Sequence, residues 1–237
     1  MSNGKFRLLE TFKTTFEGKF YKHRNPTLGN KIGRTLFEDL LQYEVSIRYK
    51  NHVVQGRGVV NLGGKIRTPK TIRRNDSIFE KPPAGEALQP PNEGFSVPEG
   101  SVAEPRISCE VKIMAKSQQK QIDRVISDLD NFALRMKSLN RKCINVAIIG
   151  INHESDYISR EGRRPFKHKL REQEPTTVRE KLLRQLSEKK YDEILILEFR
   201  ATNQKPYPFH WLDAGAVDLD YGAALTRIGE RYQERFK

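Results

Sequence analysis

The sequence predicts an α/β fold with a mixed central sheet flanked by helices, on three observations. Residues 106–114 (RISCEVKIM) alternate strictly, with Ile107, Cys109, Val111 and Ile113 on one face and Ser108, Glu110 and Lys112 on the other. Residues 117–139 then repeat apolar positions close to every 3.6 residues, at Ile122, Val125, Ile126, Leu129, Phe132, Ala133, Met136 and Leu139. Two continuous apolar runs, CINVAIIGI (143–151) and ILILEF (194–199), read as strands covered on both faces. With helices at about 175–190 and in the tail, the second half reads strand, helix, strand, helix, strand, helix.

Taken in order, the first 25 residues mix aromatic and basic positions without a firm period, and no element is assigned there. Asn25-Pro26-Thr27 opens a helix whose apolar stripe is Leu28, Ile32, Leu36, Phe37, Leu40 and Leu41. The β-branched stretch from Val45 to about Val60, interspersed with Gly, predicts a strand pair that begins the sheet, and Gly63-Gly64 marks a turn. IRRNDSIFE (72–80) reads as a strand running into residues 82–105, which hold Pro82, Pro83, Pro90, Pro91, Pro98 and Pro105 and so form a long loop insertion. Residues 152–174 read as a polar, basic loop. Pro175-Thr176-Thr177 opens the next helix, and the final helix places Tyr221, Leu225, Ile228 and Tyr232 on one side. A length of 237 residues suits one domain carrying that insertion.

Charge narrows the function. Lys+Arg of 43 against Asp+Glu of 30 leaves +13, and a surplus of that size favours a polyanionic partner, because each neutralised phosphate releases condensed counterions. The surplus is clustered at Lys65, Arg67, Lys70, Arg73 and Arg74, and again at Arg160, Arg163, Arg164, Lys167, Lys169 and Arg171. No apolar run approaches the ~20 residues of a membrane span, and the charged first twenty residues have no secretory pattern, so the chain is read as cytoplasmic. Two cysteines make no disulfide framework, and Cys109 reads as a small core residue. The five histidines (23, 52, 153, 168 and 210) show no metal-ligand spacing, and no Walker loop or GxSxG elbow is present.

One constellation can carry catalysis. On the alternating strand, Glu110 and Lys112 project from the same face one residue apart, a carboxylate suited to Mg²⁺ beside an ammonium able to orient water or offset phosphate charge. A second carboxylate is needed, and Asp76 in the preceding strand is the first candidate. Asp76 followed by Glu110-Val111-Lys112, between an opening helix and a long helix, resembles the PD-(D/E)XK nuclease superfamily, the restriction-endonuclease-like fold. The resemblance spans roughly residues 28–151. It implies Mg²⁺-dependent phosphodiester hydrolysis, with Mn²⁺ as substitute, Asp76 and Glu110 as metal ligands, and Lys112 positioning the attacking water. It also implies a glutamate from the opening helix, where Glu38 stands in GRTLFE (33–38), although the helical wheel turns Glu38 away from the apolar stripe and toward solvent.

The sequence departs from the pattern at Asn75, where a proline is usual, and in the 34 residues between Asp76 and Glu110. Pro98-Glu99 is therefore a rival first carboxylate, with no strand evident to hold it. Gln118, Gln119 and Gln121 resemble the glutamine that follows the motif in the recombination-exonuclease branch, but Val125 stands where an aromatic is expected. Lys116 and Lys120 read as phosphate contacts, joining the two basic clusters as the DNA-binding set. Tyr207, Phe209 and Trp211 read as a core cap, with stacking on a splayed base as the alternative.

The expectation is thus a Mg²⁺-dependent endonuclease acting on double-stranded DNA, with restriction or defence against foreign DNA following from the resemblance alone. A homodimer belongs to that expectation, and a partner ATPase or activating ligand is left open. The same residues leave room for a non-catalytic DNA-binding module of this fold, for an RNA nuclease, and for an interaction protein whose basicity serves solubility or an acidic protein.

Overall fold

The computed structural model describes residues 6–22, 27–62, 77–82, 91, 93–100, 104–161, 164–169, 171, 173–186 and 190–237. Within the region where the sequence shows no firm period, Arg7–Phe16 forms helix α1, burying Leu8, Leu9, Phe12, Thr15 and Phe16. The stripe is short, and Phe20 and Tyr21 continue the aromatic count beyond the helix, which hides its period. Its first turn is held from outside: Asp39 accepts hydrogen bonds from the backbone N–H groups of Arg7 and Leu8, each at 3.0 Å, and from Tyr221 Oη at 2.8 Å. Asp39 lies in α2 (Thr27–Gln42), which begins where Pro26-Thr27 predicts.

The expected strand pair at 45–60 is a correction. Ile47–Val54 is a helix, α3, opened by Ser46, whose Oγ accepts from Tyr49 N at 3.2 Å. Tyr49 and Val53, four residues apart, are buried together. β-Propensity expresses the packing environment more than the backbone, and here a capped turn against the core outweighs it. Only β1 (Val59–Leu62) of that stretch is a strand. The rest follow as β2 (Ser77–Lys81), β3 (Glu104–Met114), α4 (Gln118–Leu139), β4 (Ile144–Asn152), β5 (Asp156–Glu161), β6 (Arg164–Lys169), α5 (Glu174–Gln185), β7 (Glu193–Ala201), β8 (Phe209–Trp211) and α6 (Ala214–Arg235). The β5–β6 hairpin corrects the loop read at 152–174. The Gly63-Gly64 turn lies outside the described residues.

The central sheet runs β1-β2-β3-β4-β7-β8. β1, β2 and β3 are antiparallel neighbours, β3, β4 and β7 are parallel, and β8 closes the far edge antiparallel to β7. The sheet is thus mixed, with helices on both faces, as the sequence predicts. On one face Ile107, Cys109, Val111, Val146, Ile148 and Phe199 pack with α1, α2, α3 and α6. On the other, Met114, Ala147, Ile149 and Ile151 meet Ile122, Ile126 and Leu129 of α4 and Val178 and Leu182 of α5. The aromatic segment after β7 caps the first core, where Phe209 stacks on Phe199 with centroids 5.5 Å apart and Trp211 on Phe12 at 5.4 Å. Within the Pro-rich insertion, Pro98-Glu99-Gly100 docks alongside β1: Val60 N donates to Pro98 O at 2.8 Å and Gly100 N to Val60 O at 3.2 Å. Glu99 therefore has a strand beside it after all.

Two predictions follow from this packing. A Cβ at Gly229 of α6 would meet the Val45 carbonyl oxygen at 2.5 Å. Gly229→Ala is expected to lower stability by about 2 kcal/mol in urea unfolding, because backbone rather than a movable side chain must give way. His52 Nδ1 lies 2.8 Å from both Tyr232 Oη and Arg106 Nη1. Burial, then the charges of Arg106, Arg57 and Arg48, push its pKa down to about 4 from 6.5. Between those values the unfolded chain binds the proton and the native one does not, so stability falls as pH drops from about 6.5 toward 4. His52→Asn, which accepts the same donors without titrating there, is expected to flatten the fall in melting temperature between pH 6.5 and 5.

Candidate active site

β3 carries the site because it is rigid on both sides, antiparallel to β2 and parallel to β4. Its alternation sends Ile107, Cys109 and Val111 into the core beneath α2 and leaves Glu110 and Lys112 together on the opposite face. Lys112 Nζ donates to Glu110 Oε1 at 2.6 Å. Glu110 is only 8% exposed, so this charged hydrogen bond is formed where water screens it weakly. The pair presents a hard oxygen donor and a fixed ammonium side by side.

The carboxyl ends of the parallel strands are tied into one unit, the position where open α/β sheets bind ligands. Gln118, buried at the start of α4, donates through Nε2 to Met114 O at 2.9 Å and to Asn152 O at 2.6 Å. Asn152 in turn pairs with the backbone of Ala201, donating to its O at 2.8 Å and accepting from its N at 3.0 Å. Ser117 precedes α4 in the left-handed region and gives no side-chain cap, and Glu174 Oε1 supplies one from α5 by accepting from Gln119 N at 2.9 Å. His153 Nε2 stands 2.8 Å from Glu198 Oε1, and Arg179 pairs with the same carboxylate. Hydrogen bonding from His153 is the main reason the Glu198 carboxyl lies below its ordinary range.

Other residues singled out from the sequence fall differently. Lys116 is buried, and its Nζ donates to Ser159 Oγ at 2.9 Å, itself 2.8 Å from His168 Nε2. It anchors the β5–β6 hairpin to the end of β3 rather than facing a phosphate at the surface. Lys120 in the first turn of α4 and Arg164 on β6 are exposed. Gln121 Nε2 donates to Lys116 O at 3.4 Å. Asp76, Lys65, Arg67, Lys70, Arg73, Arg74 and Arg163 lie outside the described residues.

Glu38 corrects the solvated reading: it is buried, and its carboxylate accepts from Ser96 N (2.9 Å) and Val97 N (2.8 Å) and pairs with Arg7. The wheel misjudges it because the Pro-rich segment covers that side of α2. Glu99 pairs with Arg34, whose buried guanidinium also lies 3.7 Å from the Phe95 ring centroid. Glu38 and Glu99 are each held by partners of their own, and the described residues contain no group of three His, Cys, Asp or Glu able to hold a metal ion. Sequence reasoning places Gly150-Ile151-Asn152-His153, at the end of its strand, against the DNA backbone, and the Asn152 side chain pairs with the backbone of Ala201. The residues it passed over are Ser159 and His168, where basic neighbours masked the signal.

Comparison of the sequence with protein-family models gives no match, and no curated protein matches it significantly. Among the described residues no helix is long and apolar enough to cross a membrane.

The anchoring role of Lys116 is testable. Lys116→Met keeps the aliphatic stem and removes the donor, and amides of 156–161 and 164–169 are expected to exchange at least about tenfold faster, with β3 and β4 unchanged.

Proposed function

We propose that the chain is a metal-dependent DNA endonuclease of the PD-(D/E)XK type, hydrolysing phosphodiester bonds at Glu110 and Lys112. The observation that carries this reading is the 2.6 Å contact between those two side chains on one face of a central strand. Three antiparallel strands followed by a parallel one, with α2 and α4 on opposite faces, support it, as does the net charge of +13. Glu110 contributes one carboxylate to Mg²⁺ or Mn²⁺, and Asp76 is the proposed second. The metal, when bound, stabilises negative charge developing on the scissile phosphate. Lys112 orients the attacking water and offsets phosphate charge. Two copies of the chain would bring two such sites to a duplex.

A second reading, a DNA-binding module without catalysis, rests on the net charge of +13, which attracts phosphates without any metal.

Supercoiled plasmid incubated with Mg²⁺ or Mn²⁺ separates the two. The wild type is expected to nick or linearise it, and Glu110→Ala and Lys112→Ala are each expected to lose at least about a hundredfold in rate while still binding DNA. Binding without cleavage in either metal supports the second reading, and cleavage of a labelled RNA in preference to DNA moves the substrate to RNA.

A further inference from the structure

Beside the carboxyl ends of the strands, four pieces of chain lie edge to edge. β6 pairs with β5 through Ile158 and Lys167, among other residues. On the other edge of β5, Ile158 N donates to Thr202 O at 2.9 Å, and Asn203 Nδ2 donates to Ile158 O at 2.7 Å. The same Asn203 amide accepts from Tyr21 N at 2.7 Å and donates to Tyr21 O at 3.2 Å. The order is therefore β6, β5, the 202–203 turn and residues 19–22, with two backbone steps of about 5 Å each and a third step bridged by the Asn203 side chain.

This surface has a basic cleft at one end and an exposed aromatic ring at the other. At one, Lys19, Lys22 and Lys31 line a cavity of about 380 Å³ together with Phe20, Tyr21, Thr15, Thr27 and Leu28, with no carboxylate among the described residues of its wall. At the other, Arg164, paired in register with Glu161, and Phe166 share the face of the hairpin that carries Ser159 and turns toward the end of β3. Phe166 is 50% exposed, and the Asp156 carboxylate, on the opposite face of the hairpin, pairs with Lys167 at 3.2 Å. A flat aromatic at one edge and a cationic cleft of nucleotide size at the other is the pairing by which single strands are held, bases stacking and phosphates tracking the charge. A duplex has no unpaired base to offer the ring.

We infer that this surface holds an unpaired DNA strand, with a base stacked on Phe166 and the backbone running over the 202–203 turn into the Lys19/Lys22/Lys31 cleft. The inference rests on the nucleic-acid part of the function proposed above and makes the substrate one with a single-stranded segment beside Glu110 and Lys112. It is independent of whether those residues cut.

The test is binding of fluorescein-labelled dT15, and of a 15-base-pair duplex, to the Glu110→Gln protein in EDTA, read by anisotropy over a range of KCl. The dT15 strand is expected to bind more tightly than the duplex. Phe166→Ala is expected to weaken dT15 about tenfold, and Phe166→Tyr to retain it. The triple variant Lys19→Ala/Lys22→Ala/Lys31→Ala is expected to reduce the slope of log affinity against log salt by about 2, and the exposed control pair Arg141→Ala/Lys142→Ala to leave it unchanged. Melting temperatures matching the parent protein show that each variant folds. Tighter binding of the duplex, no effect of Phe166→Ala, or a triple variant that behaves like the control overturns the inference. Strand binding with no cleavage by wild type leaves it standing and removes the nuclease reading, whereas cleavage indifferent to Phe166 does the reverse.

Discussion

Every residue of β4, from Ile144 to Asn152, is buried. A strand in that position must be covered on both faces and paired on both edges, and most of the architecture meets that requirement. Val146 and Ile148 face the core built with α1, α2 and α6, while Ala147, Ile149 and Ile151 face the one built with α4 and α5. The ends of the strand are closed by two buried amides. Asn145 accepts from Ser108 Oγ at 2.7 Å and donates to Ala133 O and Lys190 O, and Asn152 joins the backbone of Ala201. Buried polar groups are costly unless satisfied, so these two asparagines set where β4 begins and ends relative to its neighbours.

The candidate site is a consequence of that arrangement. β3 borders β4 on one side and the antiparallel β2 on the other, so its backbone has little freedom and its alternation is kept from Ile107 to Met114. With one face committed to the core, Glu110 and Lys112 are held against each other on the second. Four residues on, Lys116 fastens the hairpin to the strand end through Ser159. The basic and aromatic edge of β6 is thereby placed by the same strand that carries the acidic and basic pair.

Legibility in the sequence followed the strength of the local pattern. β3, β4, β7, α4 and α6 have uninterrupted periods and were readable, as was the relation of Glu110 to Lys112. α3 was misread because Val45, Ile47, Val53 and Val54 look strand-like, whereas the cap at Ser46 and the buried pair Tyr49 and Val53 belong to a helix. The hairpin was misread because its basic residues look like a loop, while Tyr157 and Ser159 alternate inward beneath them. Glu38 was misjudged because the segment that covers it, Ser96 and Val97, is 58 and 59 residues away in the chain.

By itself the sequence determined the α/β class, the faces of its regular elements and the side-by-side placement of Glu110 and Lys112, because periods of 2 and 3.6 are local properties of the backbone. Tertiary structure alone decided which charged and polar groups are buried and what they hold. Lys116 became an anchor, Glu38 a receptor for two backbone N–H groups, and Asn203 a clamp joining residues 21 and 158. Those roles depend on which distant segment supplies a hydrogen-bond partner once water is excluded, and no local period encodes that choice.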